Sequence, residues 1–549
     1  PPFSLLYPMN TSRLSKVVLG LTPALALLAT SAVLRAQDTA PAAPATPTIT
    51  VNVDQVKGDS SPYLFGFMTE EINFSYDGGV YAELIRNRSF KDNPDSPDHW
   101  YYRPDPGAEG NIALDTSEKL NDAQGVSLKM VATKADATHR VGFSNDGYWG
   151  IPVRPSTTYH ASFYAKADGS FTGPISVAIS GPTQTYAYGT VPKLTNTWQK
   201  YEVTLTTAAD IKPTADAQFL IWTNTPGTAW FSLVSLFPPT YDNRPNGMRP
   251  DIMKLLSDYN PGFLRFPGGN YLEGNTFETR FNWKDTIGEV SQRPGHMDDA
   301  WHYRSDDGVG LLEFLEWCED LHMQPVLAVY AGLALRSGEV AAPGPAMEPI
   351  VQDALDEIEY VTGDVNTKWR AQRAKDGHPA PFKLTYVEIG NEDWRGDYNG
   401  RFTQLYDAIK AKYPTLQLID ASVHSPSNGK LTSRVTDRTA DVQDSHLYTS
   451  SLGQSDTDST AYDNYDRKGP KVFEGEWATR VGAPTPNFTG ALGDAAYMTG
   501  LIRNSDSVVM ASYAPLFGNV NPGGMQWPTD LIGYDALTSY GSPAFYAQD

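Results

Sequence analysis

From Asp251 onward, short apolar runs alternate with amphipathic stretches, and this alternation limits the possible folds more than any other feature of the chain. The runs lie at 262–267, 324–330, 384–389, 417–422, 442–447, 471–475 and 508–513, and the run at 63–68 upstream makes eight. Amphipathic segments at 310–321, 350–361, 401–412 and 492–503 lie between them. Strands buried on both faces read as continuous apolar runs, and parallel neighbours need a helical crossover between them. Eight such units predict an α/β fold, a (β/α)8 TIM barrel, although a doubly wound open sheet would give the same count.

A different texture interrupts this pattern. Across 99–237, short alternating segments at 158–165, 175–180, 198–205 and 218–223 are separated by Gly, Pro, Asn and Asp. This predicts an inserted all-β sandwich, with the barrel starting in 49–98 and resuming over 238–549. Residues 1–8 read as upstream sequence. After Met9 come Arg13, Lys16, an apolar run at 17–34 and Arg35-Ala36-Gln37-Asp38, the pattern of a signal peptide cleaved after Ala36. Pro23 and the small polar residues make this run a poor membrane span, so the expected location is secreted or periplasmic, with no membrane association after signal removal. An Ala/Pro/Thr-rich linker follows at 37–48, and 48–53 alternates like a strand.

The formal charge of −21, from 43 Lys plus Arg against 64 Asp plus Glu, argues against a nucleic acid partner. The 12 Trp and 30 Tyr suit sugar stacking but suit core packing equally well. Cys318 stands alone, which excludes an intramolecular disulfide, and reads as core.

The chemistry lies in where polar residues fall relative to the strands. Arg265 with Gly268-Gly269-Asn270, then Asn391-Glu392, then His446 and Tyr448, then Glu476-Trp477 each follow or end an apolar run. In a barrel these strand ends converge on one mouth. A single Glu there is more often an ion-pair partner than a catalyst. Two of them, Glu392 and Glu476, match the needs of glycosidic cleavage, in which one carboxyl protonates the leaving oxygen and the other attacks the anomeric carbon or activates water. Burial is expected to raise the pKa of Glu392 and keep it protonated. The sequence contains no Gly-x-Ser-x-Gly elbow, His-Glu-x-x-His helix or Walker loop, and the nine His are scattered, so neither metal nor cofactor is expected.

Six stretches carry a closer likeness: 64–73, 77–88, 263–270, 386–392, 473–478 and 510–516. On these the chain resembles the α-L-arabinofuranosidases of glycoside hydrolase family 51. The resemblance implies exo-acting, retaining release of terminal α-L-arabinofuranosyl residues from arabinan or arabinoxylan, with Glu392 as acid/base and Glu476 as nucleophile. It also implies that Glu70, Asn270, Asn391, Tyr448 and Gln526 hold the sugar. Trp283, taken as a substrate-binding residue, joins Trp301 and Trp527 as a candidate pocket wall, with core packing the alternative for each. Arg265 reads as a scaffold partner of the carboxylates, and Glu71 as the structural member of the Glu70-Glu71 pair. The sandwich resembles a carbohydrate-binding module. Rival readings are an endo-β-glucanase or xylanase on the same fold, or a carbohydrate-binding protein without catalysis. The resemblance admits a homo-oligomer, and the family's C-terminal β-sandwich is expected to be mostly missing.

Overall fold

The computed structural model describes residues 50, 52–55, 60–364, 366–427 and 430–549. The signal-peptide and linker readings lie outside these residues, as does most of the predicted strand at 48–53. The described part of that stretch is not a strand: Gln55 N–H donates to the Asn52 carbonyl at 3.1 Å, closing a turn.

Eight parallel strands close a barrel in the order Phe65–Met68, Phe263–Phe266, Gln324–Val329, Tyr386–Ile389, Gln417–Asp420, Val442–Thr449, Lys471–Thr479 and Val508–Tyr513. Closure comes from pairing of the first and last strands, with Phe65 opposite Ala511 and Phe67 opposite Tyr513. Alternation along the strands sorts the side chains. Leu264, Leu327, Val387, Ile389 and Leu418 pack into the large core shared with the helices. Phe263, Val326, Ile419, Val442, Phe473 and Met510 form a separate apolar cluster, the floor of the barrel interior. Two residues further along the strands of Phe263 and Val442, and two beyond Tyr386, which packs against this cluster, the interior becomes charged, with Arg265, Asp444 and Glu388 all buried. The floor excludes water from below, so whatever these charges do faces the upper rim.

The insert is a sandwich of two five-stranded antiparallel sheets spanning Trp100–Tyr102 to Gly227–Phe237. Its strands alternate cleanly: Thr158–Ala167 buries every second residue, and Phe143, Phe163 and Phe231 meet in its centre with centroids 5.1 and 5.7 Å apart. Glu83, just before the insert, is buried and accepts from Arg88 at 3.0 Å, Ser235 Oγ at 2.6 Å and Leu236 N–H at 2.8 Å. It thereby ties the entry segment to the returning strand.

After the eighth strand, a small three-stranded sheet (Phe517–Asn519, Ile532–Tyr534, Ser539–Gly541) leads into helix Pro543–Gln548. Phe517, Ile532, Tyr534 and Phe545 belong to the main core. Among the described residues no helix is long and apolar enough to cross a membrane.

Candidate active site

The first strand delivers Glu70 to the rim. Its Oε1 accepts from Asn270 N–H at 2.8 Å and from Trp301 Nε1–H at 2.7 Å. Burial, and then the nearby charge of Glu476, push this carboxyl up to about 8. Gly269 makes the approach possible, because a Cβ there would stand 2.0 Å from the Glu70 carboxyl and its φ is +57°. Glu71 turns the other way, accepting from Tyr76 N–H and Tyr303 Oη, each at 2.7 Å, so it braces the loop.

Arg265 organises the interior. Its guanidinium, fully buried, donates to both oxygens of Glu388 at 2.5 and 3.0 Å, to Asn391 Oδ1 at 2.7 Å and to Glu476 Oε1 at 3.1 Å. Burial alone would favour its neutral form, but Glu388, Asp444 and Glu476 hold it charged. The fourth strand then turns at Gly390. Asn391 N–H donates to Glu273 Oε1 at 3.0 Å, and Glu392 adopts φ 42°, in the left-handed region that costs a side-chain-bearing residue about 1 to 3 kcal/mol. The strained turn aims the Glu392 carboxyl back over the mouth, where 34% of the side chain remains exposed.

A bulge places the opposing carboxylate. Ser445 pairs with Glu474 but His446 pairs with Glu476, so Gly475 is skipped. Without this extra residue Glu474 and Glu476 would share a face. With it, Glu474 receives the Tyr462 hydroxyl while Glu476 enters the mouth. Only glycine fits the bulge, since a Cβ at Gly475 would sit 2.1 Å from Asp444 Oδ1. Tyr448 Oη donates to Glu476 Oε2 at 2.7 Å.

His446 lies between the two glutamates. Nδ1 is 2.9 Å from Glu392 Oε1 and 3.5 Å from Glu476 Oε2, and Nε2 is 2.9 Å from Asp444 Oδ2. Burial opposes its charge, yet Glu476 and Asp444 carry its pKa well above the ordinary histidine value. Burial would raise Glu392, as expected from the sequence, but the hydrogen bond and charge of His446 outweigh it and hold that carboxyl below its usual value. The expectation of a raised Glu392 is therefore corrected: the cation beside it was not visible in the chain. One oxygen or nitrogen each from Glu392, His446 and Glu476 lie within 4.8 Å of one another, a spacing that a metal could use. An imidazolium has no lone pair for a metal, so as charged the trio is a proton site.

Trp301 and Trp527 form the aromatic wall, with centroids 6.4 Å apart, and Trp527 lies 6.3 Å from Tyr448. Asn73 holds this wall in place: its Nδ2 donates to the Trp527 carbonyl at 3.0 Å, and its Oδ1 accepts from Gln526 N–H at 2.6 Å. The Gln526 side chain bridges the two edges of the wall, accepting from Asn73 N–H at 3.1 Å and donating to the Trp301 carbonyl. Arg480 covers the Trp527 ring at 4.4 Å. Trp283 does not belong here. It is 2% exposed, packed 4.8 Å from Trp369 and 5.8 Å from Tyr360, and its assignment to substrate is corrected to core. Glu70, Asn270, Asn391, Glu392, Tyr448, Glu476 and Gln526 do gather at this mouth. Asp444, Glu273 and the bridging part played by His446 escaped the sequence reading. The signal for His446 was its place beside Tyr448 at the end of an apolar run; Glu273 offered none.

A family model described as "Alpha-L-arabinofuranosidase 1 domain" matches residues 255–467, and "Alpha-L-arabinofuranosidase C-terminal domain" matches 475–549. "Carbohydrate binding domain" matches 82–227. The C-terminal segment expected to be mostly missing is thus present, in residues that complete the barrel and fold back on it as the small sheet. Alpha-L-arabinofuranosidase A of Aspergillus niger is 38% identical over 508 residues, covering 89% of this chain and 77% of its own. Alpha-L-arabinofuranosidase 1 of Arabidopsis thaliana is 35% identical over 515 residues, covering 91% and 74%. Among solved structures, an arabinose-bound MgGH51 α-L-arabinofuranosidase superposes with a TM-score of 0.81 at 35% identity, covering 89% of this chain and 80% of the other.

Proposed function

The chain belongs to the family 51 α-L-arabinofuranosidases, and on that premise we propose that Glu392 and Glu476 carry out exo-acting, retaining release of terminal α-L-arabinofuranosyl residues from arabinan- or arabinoxylan-type saccharides. The observation that carries this reading is the pair of carboxyl groups facing each other with oxygens within 4.8 Å. Retaining glycosidases place their carboxyls about 5 to 5.5 Å apart, whereas inverting ones leave about 6.5 to 9.5 Å for a water. In the first step a Glu476 oxygen bonds to the anomeric carbon while the leaving oxygen takes a proton from Glu392. In the second, Glu392 accepts a proton from water as that water's oxygen displaces Glu476.

The electrostatics suit both steps. Arg265 and Tyr448 each bond one oxygen of Glu476, which orients the nucleophile. In the resting site the proton rests on His446, 2.9 Å from Glu392, and Glu392 becomes the acid by drawing it across. Glu70, kept neutral at pH 7 by burial, can donate to a sugar hydroxyl through the oxygen not bonded by Asn270 and Trp301. Trp301, Trp527 and Tyr448 crowd the sugar side, as an enzyme acting on chain ends requires and an endo-acting groove does not.

The test is turnover of an aryl α-L-arabinofuranoside followed by proton NMR. The first-formed sugar should be the α anomer, and a β product would refute the double displacement. Glu476→Ala should lose turnover, with azide returning it only as the inverted glycosyl azide.

Export is part of the same proposal, supported by the basic-then-apolar leader ending at Ala36. N-terminal sequencing of protein recovered outside the cytoplasm should begin at Gln37, and an intact leader on that protein would overturn it.

A further inference from the structure

A cleft of about 270 Å³ opens beside Glu392. It is lined by Glu392 and Asn270 on the side of the site and by Trp394, Leu335, Arg336 and Arg395 beyond them. Glu476, Tyr448 and Glu70 take no part in it, so a group seated there lies on the leaving-group side of the acid/base. Its size is below the roughly 300 to 1,000 Å³ of sites that engulf a drug-sized ligand, which suits a short stretch of saccharide.

Its charge runs against the rest of the molecule. The chain carries 64 acidic against 43 basic residues, yet the charged side chains lining this cleft, apart from Glu392, are two arginines. Among the described residues neither forms an ion pair. Arg395 donates to the Leu335 carbonyl, and Arg336 approaches His302 Nε2 at 3.4 Å. The two carboxylates nearest Arg395 in sequence are otherwise engaged: Asp393 is bound by Arg401 at 2.6 and 2.8 Å, and Asp397 accepts from Gly400 N–H at 2.9 Å. Glu339 is engaged by Ser337 Oγ at 3.3 Å. Each guanidinium has five N–H donors in a plane that matches a carboxylate, so donors remain on both. Trp394 and Leu335 add apolar surface against which the C–H face of a sugar can lie.

We propose that this cleft is a cationic aglycone subsite and that Arg336 and Arg395 select leaving groups bearing a carboxylate, the chemistry of a uronic acid unit next to the arabinose branch. The proposal rests on the acid/base role given to Glu392. It makes the enzyme a debranching activity tuned to acidic hemicellulose or pectic chains over neutral ones.

The experiment compares kcat/KM for two arabinose-branched oligosaccharides of equal length, one neutral and one with a uronic acid beside the branched unit. Exposed charge pairs contribute up to about fivefold each. The wild-type protein should therefore favour the acidic oligosaccharide by roughly three- to tenfold at low salt. The preference should vanish near 1 M salt, where the screening length falls to about 3 Å. Arg336→Gln with Arg395→Gln should remove the preference, and Arg395→Glu should turn it toward the neutral substrate. Equal rates on both oligosaccharides, a preference insensitive to salt, or one that survives in the double variant would overturn the proposal. The wild-type salt series decides the matter even where a variant fails to fold. Failure of the underlying reading looks different: no arabinose would be released from either oligosaccharide.

Discussion

Arg265→Met removes a buried guanidinium while keeping a side chain of similar length, and its consequence can be worked from the contacts. Glu388 loses donors at 2.5 and 3.0 Å, Asn391 one at 2.7 Å and Glu476 one at 3.1 Å. Asp444, 3.7 Å from the guanidinium, keeps among the described residues only His446 as a cationic neighbour within ion-pair reach. Removing one partner of a buried ion pair costs about 3 to 5 kcal/mol, because the remaining charge is left unpaired. For a chain of this size about 1 °C of Tm accompanies each kcal/mol, so the variant should melt about 3 to 5 °C lower at pH 8. The sign of the pH dependence follows from Glu388. Burial already lifts this carboxyl to about 8 against the pull of Arg265, and without the guanidinium it rises further, so the contribution of this group to the gap is absent well below that value and grows as pH rises through it. Scanning calorimetry of both proteins from pH 7 to pH 9.5 should show the Tm gap widening. A companion variant, Arg265→Met with Glu388→Met, should regain much of the loss, since an apolar replacement of both partners leaves no unpaired charge. A gap under about 1 °C at pH 8, or one that does not widen between pH 7 and pH 9.5, would refute the claim that this pair is the electrostatic centre of the barrel.

Three further outcomes are expected. Glu70 is neutral in the folded protein up to about pH 8 but ionises near 4.5 when unfolded, so it subtracts stability as pH rises through that window; Glu70→Gln should gain Tm relative to wild type between pH 5 and 8, and a constant difference would count against the raised pKa. His446 keeps the last proton of its pair with Glu392 above the ordinary histidine range, so His446→Gln should move the alkaline limb of kcat/KM to lower pH, and a limb that stays put would remove His446 from the proton path. Trp283→Ala should cost about 3 to 5 kcal/mol of stability with KM unchanged in the surviving fold, whereas Trp301→Phe, which deletes the 2.7 Å donor to Glu70, should raise KM with little change in Tm; the reverse pattern would exchange their assignments.

Much of this site could be read along the chain because its parts are local. An apolar run followed by a polar residue puts that residue at a strand end, and eight such runs put strand ends on one rim. Glu392 and Glu476 were legible in this way, and so was Arg265 as their partner. The errors concern information that does not travel along the chain. Trp283 looks like Trp301 in sequence, both in the long segment after the second strand, but only the packing of Trp369 and Tyr360 shows that one is core. The C-terminal segment was sought beyond Asp549, whereas its sheet folds back so that Phe517 and Tyr534 share the barrel's own core.

By itself the sequence determined the eight α/β units, the inserted sandwich and the pair of glutamates, because hydrophobic period and strand-end chemistry are properties of neighbouring residues, while closure of the barrel needed the first strand to pair with the last. Tertiary structure alone decided which carboxylate faces which. Strict alternation would put Glu474 and Glu476 on the same face, and the skipped residue at Gly475 separates them, a shift visible only against the pairing strand. It likewise decided protonation. Charges in a low-dielectric interior act through space, so a histidine from the sixth strand sets the pKa of a glutamate after the fourth.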